Sequence, residues 1–208
     1  MSPRDPHENH RTASSLELFF DLVFVIAVGV AAANLHHSLT EDHIEHGVFS
    51  FMAVFLAVWW AWMNFTWFAT SFDVDDWLYR VLAILQMGGV IVLAAGFGPF
   101  FEGHYGTAII GYVIMRICMA SQWFRAGISS REYRTTTFRY GFGIVFAQSL
   151  WIAWLFFWSD TAFSPFIFIG IWIVELLVPP ISEQANLTPS RPPPHHRTLW
   201  PLHSGDFG

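Results

Sequence analysis

Residues 18–35 read LFFDLVFVIAVGVAAANL, an apolar run broken by a single charge, Asp21. As a helix it covers about 27 Å, close to the thickness of a bilayer's hydrocarbon core. Five more stretches of the same kind follow, at 47–68, 81–101, 107–124, 141–158 and 163–181, separated by short polar connectors. The chain is 54% hydrophobic and only 12% charged, too apolar for most soluble domains of this length. The fold class expected is all-α, a polytopic bundle of about six transmembrane helices.

The basic residues orient that bundle. There is no lysine, so arginine alone reports the cytoplasmic face. Arg4 and Arg11 precede the first span, and Arg80 closes the second connector. Arg125, Arg131, Arg134 and Arg139 fill the fourth, and Arg191 and Arg197 lie in the tail. The odd-numbered connectors carry Glu41, Asp42, Glu45, Glu102 and Asp160 instead. The pattern predicts an N-in, C-in topology. A cleaved leader is the alternative for the first span, with Ala31-Ala32-Ala33 as a mock cleavage site. Glu17 and Asp21 beside the apolar region, and the long polar leader, favour a retained helix.

The expected organisation is a mobile cytoplasmic N-terminus (1–14), a six-helix domain (15–181) and a Pro-rich, disordered cytoplasmic tail (182–208). Ser14-Ser15-Leu16-Glu17 has capping-box spacing. The short connector 69–80 makes helices two and three antiparallel neighbours. Gly88, Gly89, Ala95 and Gly96, and Gly143 with Ala147, are small-residue spacings that let helices approach closely in lipid. Tryptophans such as Trp59, Trp60, Trp62, Trp67, Trp151, Trp154, Trp158 and Trp172 read as interfacial belt and packing residues, with an aromatic cage for a cation as the alternative. Cys118 is the single cysteine, so neither a disulfide nor a cysteine metal site forms within one chain.

A charge at the bilayer centre costs on the order of 2.5–3.5 kcal/mol, so each embedded charge needs a reason. Asp21 lies about 6 Å deeper than Glu17, past a capping role. It either locks helix one to a neighbour, with Arg80 at similar depth as partner, or belongs to an ion or proton pathway. Arg116 and Glu175 fall in the middle-to-inner parts of spans four and six. They either pair with each other, or Arg116 faces an aqueous cavity and binds an anionic substrate. Asp73, Asp75 and Asp76 form an acidic turn in which Asp73 or Asp75 caps the third helix, pairs with Arg80 or helps hold a divalent cation. His43 and His46 share a helical face beside Glu41, Asp42 and Glu45, a weak pattern for zinc or pH sensing; no metal site is expected. Tail histidines His195 and His196 are weaker still.

No catalytic constellation is present: no Gly-x-Ser-x-Gly, no His-Glu-x-x-His, no phosphate-binding glycine loop. The chain reads as a non-enzyme without cofactors. No basic cluster with interleaved aromatics points to nucleic acid; the partners expected are the lipid bilayer, an unknown solute or ion and further copies of the chain.

Two stretches carry a family resemblance: ELFFDLVFV (17–25), and WWAWMNFTWFATSFDVDD (59–76) followed by Arg80 and Gln86-Met87. They resemble the bacterial low-temperature-requirement A family, most closely over residues 15–125. The resemblance implies a multi-pass protein of the bacterial inner membrane named for a growth phenotype. Family members are typically longer, with a second helical set opening near a Glu-Arg…Gly-Leu-Phe…Leu-Gly-Glu motif. The sequence reaches Gly208 about where that half begins, so a truncated or half-length member is expected. Phe19-Phe20-Asp21 is also similar to the Phe-Ser-Asp first helix of six-helix bacterial and lysosomal potassium channels, with Phe20 in place of the serine. That likeness implies a path near Ile26 and Val30. The function expected is movement of an ion or small solute across the membrane, supported by Asp21, Arg80, Arg116 and Glu175. The alternative is a non-transporting protein supporting the envelope or a complex during cold stress.

Overall fold

Backbone amides cannot be left unpaired in hydrocarbon, so each apolar run closes its hydrogen bonds within itself as a helix. A computed structural model describes residues 2–3, 15–73, 76–184 and 188. It contains six helices long and apolar enough to cross a membrane. They are α1 (Ser15–Thr40), α2 (Ile44–Ser71), α3 (Trp77–Ala95), α5 (Gly106–Ser129), α6 (Arg134–Phe157) and α7 (Ser164–Glu183), with a short α4 (Phe97–Phe101) between α3 and α5. A two-residue antiparallel bridge joins β1 (Ser2–Pro3) to β2 (Phe72–Asp73), setting the start of the chain against the α2–α3 connector. The rest of the all-α bundle is an up-and-down array. α1 packs on α2 and α3, α3 on α5, α5 on α6 and α6 on α7. α5 is the most buried of the six and α1 the least.

Several short polar side chains inside the spans bond to their own helix. Asn64 donates to the Trp60 carbonyl, Thr66 to Trp62, Ser71 to Trp67 and Ser149 to Val145, each one helical turn back. Such residues carry little cost in lipid and leave the helices uninterrupted.

The third apolar run, expected as one span over 81–101, is broken. α3 stops at Ala95, and Pro99 has no N–H to give the Ala95 carbonyl. Gly96 sits at the break against α5, where an added Cβ would lie 2.4 Å from the Ala108 amide nitrogen. One turn further along α5, a Cβ on Gly111 would lie 2.3 Å from the Leu93 nitrogen and 2.8 Å from the Gly89 carbonyl oxygen. The α3–α5 contact is therefore backbone against backbone. Of the expected stripe, Gly89 and Gly96 make this contact, whereas Gly88 and Ala95 are exposed. Gly143 packs against Val178, joining α6 to α7.

α7 continues through Pro179 and Pro180 to Glu183, so Ser182 and Glu183, expected in the tail, are helical. Thr188 beyond it is buried and bonded to Glu183 and Trp67. Most of the N-terminal segment and most of the tail, with Ser14, His195 and His196, lie outside the described residues.

Candidate functional site

Arg116 stands about 15 Å along α5 and Glu175 about 16 Å along α7, so both reach the middle of the bundle. Arg116 Nε lies 2.9 Å from Glu175 Oε1, and the side chains are 1% and 0% exposed. Three neutral donors complete the carboxylate's surroundings. Tyr112, one turn before Arg116 on α5, donates its hydroxyl to Oε1 at 2.8 Å. From α6, Trp151 Nε1 donates to Oε2 at 2.8 Å and Gln148 Nε2 to Oε1 at a longer 3.4 Å. Four groups from two helices thus converge on one carboxylate from a third.

The guanidinium is far less well served. Its carbon lies 5.9 Å from the Tyr112 ring centroid, within cation–π range. The Nε contact is close enough for an ion pair but is not aligned as a hydrogen bond, and the buried Nη1 and Nη2 have no acceptor among the described residues. Gln148 Oε1 is likewise buried without a donor. Pro179 stands four residues after Glu175 and cannot supply the amide that its main-chain carbonyl would receive in a regular helix. Tyr112 and Trp151 also line an apolar hollow of ≈ 30 Å³ with Trp172, Phe168 and residues of α2 and α3.

The other residues singled out from the sequence lie elsewhere. Asp21 on α1 is exposed and accepts a 2.7 Å hydrogen bond from Trp62 Nε1 of α2, so its partner is an indole and not Arg80. Arg80 is exposed in the first turn of α3. In the acidic turn the helix cap is Asp76, one residue later than expected: its side chain accepts from the Tyr79 amide at 2.7 Å and pairs with Arg125. Partial burial opposes ionisation there, but the Tyr79 amide and the Arg125 guanidinium together hold the Asp76 carboxyl below its usual range. Asp75 and the Asp73 side chain lie outside the described residues.

At the arginine-poor end, His37, His43, His46, Glu41 and Glu102 border a cavity of ≈ 350 Å³. His46 Nε2 lies 2.8 Å from the Phe101 carbonyl oxygen, linking the first turn of α2 to the last residue of α4. His37 is 3.6 Å from Glu41. Among the described residues no three His, Cys, Asp or Glu side chains converge as metal ligands. At the opposite end, Tyr140 and Thr188 donate to Glu183, and Trp67 to Thr188, tying α2, α6 and α7 together.

Sequence reasoning singled out the two charges but not Tyr112 or Gln148, and took Trp151 for belt or packing. The available signal was spacing: Tyr112 is one turn from Arg116, and Gln148 and Trp151 share one face of α6.

The family described as bacterial low temperature requirement A protein matches residues 12–198. An uncharacterized protein, RA0937, of Rhizobium meliloti (strain 1021) is 28% identical over 179 residues, covering 84% of this chain and 41% of that one. The chain thus spans about two fifths of that relative's length. No solved structure matches.

Proposed function

The chain belongs to the bacterial low temperature requirement A family, and on that premise we propose that it moves an ion or small solute across a membrane through the Arg116–Glu175 centre. The observation that carries this reading is the buried guanidinium whose Nη1 and Nη2 have no acceptor among the described residues. A buried ion pair adds little stability over apolar residues of similar volume, so stability alone does not account for such a centre. Embedded ionisable groups are the usual mark of a pathway. Family membership supports the inner membrane, and the arginine distribution supports cytoplasmic placement of both ends of the six-helix domain. Labelling of a Gly103→Cys variant from outside the cell, with Ser129→Cys silent, is the expected result, and the reverse would invert the topology.

A second reading has an observation of its own. Glu175 already holds four partners from α5 and α6, and the neighbouring hollow is apolar. That arrangement suits a non-transporting protein whose centre locks helices together in support of the envelope or a complex. Flux into liposomes separates the two. Over a panel of ions and small solutes, the wild-type chain should show flux that falls at least about tenfold in Glu175→Gln at matched folded yield. Folded protein that passes nothing would sink the transport reading.

A further inference from the structure

The centre has two unmatched ends, and one reaction supplies both. On one side are the Arg116 Nη1 and Nη2 atoms, which carry four N–H bonds in a planar fork without an acceptor among the described residues. That edge fits a carboxylate, which accepts two parallel N–H bonds from a guanidinium. On the other side is Gln148 Oε1, an acceptor without a donor, on the carboxamide that already faces Glu175 through its nitrogen.

Charge connects the two ends. Arg116 and Glu175 sum to zero, and the groups around them are neutral: Tyr112 from α5, Gln148 and Trp151 from α6. An anion on Arg116 would leave an excess negative charge in a medium that stabilises it poorly. One proton on Glu175 restores neutrality and creates an O–H that Gln148 Oε1 can accept. Tyr112 and Trp151 can keep donating to the protonated carboxyl. The missing amide at Pro179 leaves α7 easier to bend beside Glu175.

We propose that Arg116 binds a small monovalent carboxylate on its Nη edge while Glu175 takes up one proton from solution, so that anion and proton enter the centre together and without net charge. The Nη atoms and the Glu175 side chain are buried within one chain, so the ligand argued for is the smallest carboxylate, formate. This assignment rests on the transport reading for its purpose but is tested by binding alone.

The test uses the full 208-residue chain in lipid nanodiscs, with folding checked by circular dichroism. Tryptophan fluorescence reports binding, and an indicator dye in weak buffer reports proton uptake. Titration with formate should saturate, with one proton taken up per anion and affinity falling about tenfold for each unit of rising pH. Glu175→Gln should bind formate without proton uptake and with a flat pH dependence. The double variant Arg116→Gln/Glu175→Gln, which leaves no lone charge, should not bind. No saturable signal from folded wild type, binding without proton uptake, or equal binding by the double variant would each overturn the proposal. Equal affinity for chloride would overturn the carboxylate assignment. Formate binding without flux in liposomes would remove the transport reading and leave the site; cation flux without formate binding would do the reverse.

Discussion

Replacing Glu175 with leucine should cost more stability than replacing Arg116, and replacing both should cost least. In Glu175→Leu the guanidinium, 1% exposed, keeps its charge and loses its ionic partner among the described residues. Leaving a buried charge uncompensated costs about 3–5 kcal/mol. Tyr112 and Trp151 lose their acceptor in the same variant, which holds the cost at the upper end of that range. In Arg116→Leu the carboxylate keeps its three neutral donors, so the loss should be nearer about 2–3 kcal/mol. The double leucine variant removes both charges and keeps an apolar volume, a change often neutral when a buried pair is replaced. It should fall within about 2 kcal/mol of wild type, a coupling energy of at least about 3 kcal/mol. Unfolding in micelles followed by circular dichroism would supply the four values. Additivity within about 0.5 kcal/mol would refute the pair as an energetic unit. Equal losses in the two single variants would refute the asymmetry argued from the donor count.

Gly111→Ala should destabilise by about 1–3 kcal/mol because its Cβ would meet the backbone of α3, whereas Gly88→Ala, with nothing within 4 Å, should be close to neutral; melting temperatures of the two variants check this. Asp76 has a folded pKa below its unfolded one, so its stabilising contribution is present above the unfolded value of about 3.9 and is lost as pH falls through the folded value. Wild type should therefore lose stability in that acid window relative to Asp76→Asn; parallel unfolding curves would remove the Arg125–Asp76 contact as the cause. Ile26→Trp, on an exposed part of α1, should leave flux from the reconstituted chain within about twofold of wild type, in contrast to Glu175→Gln.

Length, apolarity and arginine spacing make the six helices legible before any coordinates, because a membrane leaves the backbone one way to satisfy itself. Arg116 and Glu175 were legible for the same reason, as charges where charge is costly. Their neutral partners were not. Tyr112 and Gln148 look no different in sequence from Asn64 or Thr66, which bond only to their own helix. Pairing Asp21 with Arg80 weighed charge alone and missed the indole of Trp62, a donor that needs no charge. Gly96 and Pro99 did carry the signal for the break after α3, but hydropathy averages across it.

Two routes through the bundle compete, and the geometry separates them. The resemblance of α1 to a channel's first helix points to a path beside Ile26 and Val30, yet these side chains are 57% and 36% exposed on the outer face of a single chain. They line an enclosed path only if further copies or further chain surround them. Asp21 is exposed on the same helix, its hydrogen bond coming from Trp62. The α5–α6–α7 centre needs no such completion, because one chain encloses both Arg116 and Glu175. It also holds the buried guanidinium donors, without an acceptor among the described residues, that a passing anion requires. A single chain that transports therefore does so through Glu175. An assembly that needs α1 is the case in which Ile26→Trp, not Glu175→Gln, would abolish flux.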